Sequence, residues 1–564
     1  MTRTKQWKKA KPTKRQKIKP GAASAGSSNE EILVADVRRL LSISSLGKEE
    51  DLPGSTENQG ASPERFSEVE VKISEISSTG DGLGFSLRPD HVFVVPFTAP
   101  GDFVRAKVVN YNAAENYTLT DFIEVIKPSP QRDNTRIGCR YFAKCSGCQL
   151  QMLSYEDQLV HKKVIIERAY KNFSTLAPEL IPVVGETIGS PLQYGYRTKL
   201  TPHFDQPRGN HNRNGRPDSE EATEPQEVPD IGFMYKNRRK TLDIEDCPIG
   251  TDAVRKGMKS ERERVAREIR NYKRGATLLL RESTIRTSNT TTPPTEPSED
   301  QISHQPPEST PNTKPDDLNP HTPTPHKNPL STSPPPPTET KTCITDSNAT
   351  ATEHIGPYTF TNTAGAFFQN NNSILPRFTA YIREHILPPR PSATTPIAHL
   401  IDAYCGSGLF TITLSSLFAS STGIDISPLS IAAAHKNADV NRIPNATFMT
   451  ADASALFQEV TYPPDETVVV IDPPRKGCDD EFLSQLLRFG PRRVVYVSCN
   501  VHTQARDVGV LVEGKGAARY EIESLRGFDF FPQTGHVEGV AILERSGGWV
   551  ADLADAEGAG KGGG

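Results

Sequence analysis

Leu400-Ile401-Asp402-Ala403-Tyr404-Cys405-Gly406-Ser407-Gly408 decides the fold: an apolar run short enough for a buried strand breaks at paired glycines and leads into a helical segment. Glycines at such a junction let the backbone approach a ligand closely at a helix N-terminus. Reading outward, GIDI (Gly423 to Ile426), VVVIDPP (Val468 to Pro474) and RVVYVSC (Arg493 to Cys499) repeat the strand-like pattern, with helical or turn material between them. That alternation predicts an α/β unit, a Rossmann-like doubly wound parallel sheet. Ligands in such sheets sit beyond the carboxyl ends of the strands, where these motifs fall. Asp425, about one βαβ step after the glycines, is placed to accept hydrogen bonds from a ribose. Asp452, in MTADAS, is either an adenine contact or a helix N-cap. The glycine cradle for a pyrophosphate is incomplete, because Thr411 stands at the third position after Gly408. A nucleoside without phosphates, adenosylmethionine rather than NAD, suits the pocket better.

The chain of 564 residues is too long for one compact core. Only 35% of it is hydrophobic, with 47 Pro and 40 Gly, a dilution that points to disordered segments rather than to a weak core. The net charge of -4 hides an asymmetry: the first twenty residues carry many Lys and Arg and no acid. That tail reads as a nuclear address, a phosphate-binding arm or a solvated end. No apolar run approaches the roughly 20 residues of a spanning helix, and nothing resembles a secretory signal. The expectation is a soluble intracellular chain, nuclear and/or cytoplasmic, with no membrane and no obligate protein partner evident. Its eight cysteines are then thiols, metal ligands or nucleophiles before they are disulfides.

Composition divides the chain further. Residues 1–65 read as a disordered basic tail with at most a short helix near Leu33 to Leu41. Residues 66–127 alternate apolar and polar positions between turn signals such as Gly80-Asp81-Gly82, which predicts a small β-barrel of four or five strands. A central domain spans 128–281, with a polar insert at about 206–228. Residues 282–353 form a Pro/Thr/Ser-rich insert expected to be disordered. The α/β unit occupies 354–546, and 547–564 are a disordered tail. Within the central domain Cys139, Cys145 and Cys148 form C-x5-C-x2-C, with Cys247 as the candidate fourth ligand. Four thiolates suit an iron-sulfur cluster or zinc, and the plain alternative is a set of structural thiols.

Asp472-Pro473-Pro474-Arg475-Lys476-Gly477, then sixteen residues, then VVYVSCNVHT (Val494 to Thr503), followed by FDFFPQTGHVE (Phe528 to Glu538), resembles the paired signatures of the RNA uracil-5-methyltransferase family. The long Pro/Thr-rich insert draws the resemblance toward its eukaryotic, fungal-type tRNA members. The resemblance implies a class I S-adenosylmethionine-dependent methyltransferase domain and an N-terminal OB-type (TRAM-like) RNA-binding β-barrel. It implies tRNA as partner, with the T-loop uridine at position 54 as target. Carbon 5 of uracil is a poor nucleophile, so a thiolate must add at carbon 6 and a base must later remove the carbon 5 proton. Those roles fall on Cys499 and Glu538. The cofactor contacts carried over are Gln369 in AFFQNN, Tyr404, Asp425 and Asp472. Asp425 stands where most members have Glu, and Val501 where Pro is common. The cysteine spacing is similar to a [4Fe-4S] site in some members. The same reaction on ribosomal RNA and a non-catalytic RNA-binding or tRNA-folding role are the alternatives left open.

Overall fold

Alternation of apolar and polar residues from Glu68 onward closes on itself rather than forming an open sheet. The computed structural model describes residues 28–46, 63–86, 90–205, 227–272, 274–287, 338–388, 396–451, 457, 460–514 and 518–547. Strands β1 (Glu68–Ile76), β2 (Gly82–Phe85), β3 (Val92–Val95), β4 (Phe103–Asn112) and β5 (Tyr117–Lys127) form a closed barrel in the order β1-β2-β3-β5-β4. Val71, Ile73, Phe93, Val95, Val104 and Ala106 fill it.

The stretch expected as a disordered tail contains an 18-residue helix, α1 (Asn29–Leu46), longer than the short helix anticipated at Leu33 to Leu41. Ser28 and Glu31 start it with a reciprocal cap: the Glu31 N–H donates to Ser28 Oγ at 3.2 Å and the Ser28 N–H donates to the Glu31 carboxylate at 2.6 Å. Leu33, Val37 and Leu40, one helical stripe, bury against Leu83, Val92, Val94 and Tyr117 of the barrel. Asp36, also buried, accepts from the Ser78 N–H at 2.5 Å and lies 3.6 Å from Arg168. The basic residues 1–20 lie outside the described residues, as do 206–226 of the polar insert, Asp452 and the C-terminal 548–564.

Helix α2 (Tyr155–Phe173), capped by Ser154, and strand β6 (Gly185–Ile188) follow the cysteine-rich loop. Short strands β7 (Lys199–Leu200), β8 (His203–Phe204), β9 (Gly232–Met234) and β10 (Thr241–Asp243), helix α3 (Asp252–Glu268) and strand β11 (Ala276–Thr277) come next. The sequence reading of a disordered insert from 282 needs correction at both ends. Strand β12 (Leu280–Thr287) pairs antiparallel with β13 (Thr338–Ile344), from Arg281 opposite Ile344 to Thr287 opposite Thr338. A hairpin of β14 (Thr350–Ile355) and β15 (Tyr358–Thr363) then packs on β12. The Thr-rich ends of the tract are β-formers, and pairing across it satisfies their backbone, which composition could not reveal. Cys343 therefore sits on a strand against Gly257 of α3, and only 288–337 of the insert lie outside the described residues.

The rest is the doubly wound unit: α4 (Leu375–His385), β16 (His399–Ala403), α5 (Leu409–Leu414), β17 (Ser420–Asp425), α6 (Pro428–Val440), β18 (Ala446–Thr450) and β19 (Thr467–Ile471), then α7 (Asp480–Phe489), β20 (Arg493–Ser498), α8 (Val501–Glu513), β21 (Arg519–Phe528) and β22 (Glu538–Ser546). The sheet runs β18-β17-β16-β19-β20-β22-β21-β6, with β22 antiparallel to its neighbours β20 and β21. Thr467–Ile471 and Arg493–Ser498 are buried throughout, as strands covered on both faces require. Two apolar clusters lie across this unit, one around Phe378 and Phe410, the other around Phe482 and Val508.

Candidate active site

Five parallel strands deliver their carboxyl ends to one edge, and the reversal of β22 brings its first residue to the same edge. Ser498 pairs with Gly539, so the next step of that register sets Cys499 opposite Glu538 on adjacent strands. Asp472 follows β19, the neighbour of β20 on the other side. Gln504 of α8 locks the pair from below, donating to Tyr496 O at 2.7 Å and Gly539 O at 3.0 Å.

Cys499 sits in a bend held by short local bonds. Ser498 Oγ donates to Asn500 O at 3.0 Å and accepts from the Asn500 N–H at 3.1 Å. Asn500 caps α8, its side-chain oxygen accepting from the His502 N–H, so the thiol stands one residue ahead of a helix N-terminus. Val501, in place of the common Pro, is the first helical residue and is buried, and the Asn500 cap starts the helix without the ring. The DPPRKG loop lies across this terminus: Asn500 Nδ2 donates to Arg475 O at 2.9 Å, and Thr503 Oγ1 to the same oxygen at 3.2 Å. Gly477 has φ +78, and a Cβ there would meet Asp507 Oδ2 at 2.6 Å.

The electrostatics follow from crowding. Burial pushes the Cys499 thiol up to about 12, and the charges of Glu538 and Asp472 push the same way, while Arg475 opposes them through its charge and a hydrogen bond. Glu538 is 2% exposed, and burial, then Asp472, hold its carboxyl well above the usual range, again opposed by Arg475. One negative charge is tolerated here far better than two. The sequence reading took Arg475 only as part of the DPPRKG signature and missed its action on both thiol and carboxyl. The basic RK after DPP was the available signal.

Lys162 was missed altogether. Fully buried on α2, it donates to Asp529 Oδ1 at 2.5 Å, Phe531 O at 3.0 Å and His536 O at 2.7 Å. It thus gathers the loop between β21 and β22 that leads into Glu538. His536, in the same loop, is pushed down to about 4 by burial, then by Arg475, and is neutral at pH 7. Nothing local in the sequence links Lys162 to a loop 367 residues away.

At the neighbouring strand ends, Tyr404 takes a left-handed φ of +64 and Gly406 a φ of +54. A Cβ on Gly406 would meet nothing within 4 Å, so open space lies over the loop. Asp425 is engaged by backbone, accepting from the Gly406 N–H at 3.0 Å and the Ser427 N–H at 2.8 Å, while staying partly exposed. Its shorter arm therefore braces the glycine loop. Asp402, fully buried, accepts twice from Thr411 through one oxygen and leaves the other without a partner. Burial and neighbouring carboxylates raise both Asp402 and Asp472 to about 7. Three crowded acids and an open glycine loop fit a cationic nucleoside and repel a pyrophosphate, so the donor set suits adenosylmethionine. Gln369 is buried in the loop ahead of α4, which Asn371 ties to Phe530 O at 3.2 Å.

A cavity of about 760 Å³ leads to Cys499, Arg475, Asn500 and His536 from the barrel side, with Asn29 and Glu30 of α1 at its rim. Back to back with it, a second cavity of about 380 Å³ is lined by Cys139, Cys145, Cys148 and Cys247. The sequence-predicted cysteines are thus brought together. Burial raises all four thiols, Cys148 to about 12. Among the described residues, however, no three Cys, His, Asp or Glu side chains stand close enough to hold a metal ion. The predicted [4Fe-4S] site has the right donors but not a ligating arrangement, and its support ends there.

The chain resembles known proteins along most of its length. A family model described as tRNA (Uracil-5-)-methyltransferase matches residues 356–546. The tRNA (uracil(54)-C(5))-methyltransferase of Schizosaccharomyces pombe is 44% identical over 485 residues, covering 86% of this chain and 79% of that protein. The enzyme of the same name from Saccharomyces cerevisiae is 40% identical over 496 residues, covering 84% and 73%. The crystal structure of Pyrococcus abyssi tRNA (uracil-54, C5)-methyltransferase in complex with S-adenosyl-L-homocysteine shares the fold, with a TM-score of 0.52 at 21% identity over 84% of this chain and 100% of that one. Matching signatures, strand-end geometry and fungal relatives at this identity lead to one statement: the chain belongs to the tRNA (uracil-5-)-methyltransferase family.

Proposed function

We propose that this chain methylates carbon 5 of uridine 54 in tRNA, with S-adenosylmethionine as donor, Cys499 as nucleophile and Glu538 as base. The observation that carries the roles is the antiparallel pairing of β20 with β22, whose continuation past Ser498 and Gly539 brings Glu538 to Cys499, with Cys499 on the wall of a cavity open toward the barrel. The Cys499 thiolate adds to carbon 6 of the uracil, and the electron pair moves to carbon 5 and its neighbouring carbonyl. S-adenosylmethionine supplies, when bound, an electrophilic methyl group on a positively charged sulfur. Carbon 5 takes that methyl, Glu538 removes the carbon 5 proton, and the ring double bond re-forms as the thiolate leaves. Arg475 favours the ionised forms of both side chains by its charge. Tyr404, Asp425, Asp472 and Gln369 are the contacts for the cofactor. The barrel is a TRAM-like RNA-binding module, and the cysteine-lined region is a separate central domain. The same reading places the chain in the nucleus and/or the cytoplasm, with its tRNA. No observation favours the ribosomal or the non-catalytic reading.

The test is a purified chain, S-adenosylmethionine labelled in its methyl group, and a tRNA transcript. Label appears as 5-methyluridine at position 54 and is lost when that uridine is replaced by cytidine. Label retained on the cytidine transcript, or none on either, rejects the assignment.

The acid cluster adds a pH dependence. Asp402 and Asp472 are raised to about 7, and a cation binds better to their ionised forms. The KM for S-adenosylmethionine therefore rises as pH falls from 8 to 6, by up to about tenfold per unit for each proton that must be released. The uncharged-sulfur product S-adenosylhomocysteine shows a shallower dependence. Equal slopes for the two ligands in a calorimetric titration would contradict this assignment of the acids.

A further inference from the structure

A chain of net charge -4 that binds a polyanion needs a local concentration of positive charge near its site. The described residues contain one at the cavity mouth. The turn between β9 and β10 reads Lys236-Asn237-Arg238-Arg239-Lys240 and reverses at Asn237, which has φ +60. It is held from both sides. Toward the barrel, Lys236 Nζ donates to Asp81 at 2.7 and 3.0 Å, and Asn237 Nδ2 to Asp121 Oδ1 at 3.3 Å. Toward the cysteine loop, the Lys236 N–H donates to Lys144 O at 2.8 Å and the Ser146 N–H to Met234 O at 3.0 Å.

These bonds use up Lys236 but leave other charges outward. Arg239 and Lys144 are exposed, and neither side chain has a hydrogen bond or ion pair among the described residues. Arg238 and Lys240 are exposed, at 3.4 Å from Asp121 and 3.9 Å from Asp230, and the Lys240 ammonium lies 5.8 Å from the centre of the Tyr235 ring. Lys236 and Asn237 line the cavity that ends at Cys499, with Asn110, Tyr111 and Asn112 of the barrel also on its wall. Cations, amides and an aromatic ring around a channel are the chemistry of backbone and base contact.

Resting on tRNA as the substrate, we propose that the β9–β10 turn, through Arg239 with Lys144 beside it, grips the RNA sugar-phosphate backbone next to the uridine presented to Cys499. The turn is fixed before RNA arrives, so little chain entropy is lost on binding. Its cations act on binding and not on the chemical step.

The measurement is steady-state methylation of full tRNA across a salt series. Arg239→Ala raises the KM for tRNA roughly tenfold, the scale of one lost charge-assisted contact. It leaves kcat at saturating tRNA and the KM for S-adenosylmethionine unchanged. The slope of log affinity against log salt shrinks by about one for each phosphate contact removed, and by about two in Lys144→Ala with Arg239→Ala. Arg239→Lys, which keeps the charge, restores most of the slope. A double variant with wild-type KM and slope overturns the proposal, as does a fall in kcat with KM intact. Should the alanine variants unfold, Arg239→Gln read by salt slope alone decides. A wild-type chain that leaves uridine 54 unmethylated defeats the function itself, whereas an active wild type with unshifted variants defeats only the grip.

Discussion

Cys499→Ala binds tRNA as tightly as the unaltered chain and forms no 5-methyluridine, its turnover falling by more than roughly 10⁴-fold, the scale on which loss of a covalent nucleophile is felt. Binding survives because the thiol makes no part of the charge-based grip and sits at the floor of the cavity. Turnover does not, because no other thiol is placed to substitute. Cys405 and Cys478 are buried, Cys343 lies on β13 against Gly257 of α3, and the four cysteines of the central region line a different cavity. The fold is insensitive to the change, since Ser498 and Asn500 hold the bend through oxygen and backbone atoms that alanine leaves in place. Filter binding and nucleoside mass spectrometry on the same preparation separate the two effects. Residual methylation above a hundredth of the wild-type rate would remove Cys499 from the chemistry.

Glu538→Gln does the opposite to the intermediate. The amide cannot accept the carbon 5 proton, so the methylated ring stays attached to sulfur and turnover falls by roughly 10²–10⁴-fold. One of the two charges that oppose thiolate formation is gone as well, because Glu538 pushes the Cys499 thiol upward and only Asp472 is left to do so. Addition at carbon 6 thus becomes easier while release is blocked, and a protein–RNA species stable to denaturant accumulates. A denaturing gel with labelled tRNA shows it as a shifted band. If Glu538→Gln were as slow as predicted but gave no such band, proton removal would precede or accompany methyl transfer, and the sequence of addition, methylation and then proton loss would be wrong.

Much of the site was legible because its residues sit at strand ends, where an apolar run stops at a chemically distinctive residue. Asp425 ends such a run and Asp472 and Cys499 each follow one, and the order of the runs is enough to bring them to one edge of a parallel sheet. Glu538 was legible only through its signature, since facing Cys499 depends on β22 running against its neighbours. What stayed hidden depends on contacts between distant segments. Lys162 reads as one more helix lysine until α2 packs under the β21–β22 loop. Thr338–Ile344 reads as the edge of a low-complexity tract until it finds β12 across fifty residues. Helix α1 carried a local signal that was passed over, the Ser28–Glu31 cap ahead of the Leu33, Val37, Leu40 stripe. The cysteines show the converse: their spacing gathered them correctly around one cavity, yet spacing alone does not set ligand geometry.

The covalent link itself is open to direct measurement. A tRNA carrying 5-fluorouridine at position 54 lets the thiolate add and the methyl transfer proceed, but fluorine cannot leave as a cation, so the wild-type chain stalls as an adduct. Digestion and tandem mass spectrometry then locate the modified residue. A methylated fluorouridine is expected on the peptide containing Cys499, present only when S-adenosylmethionine was added. A modified peptide centred on any other cysteine, or an adduct-free chain in an otherwise active preparation, would contradict the covalent mechanism.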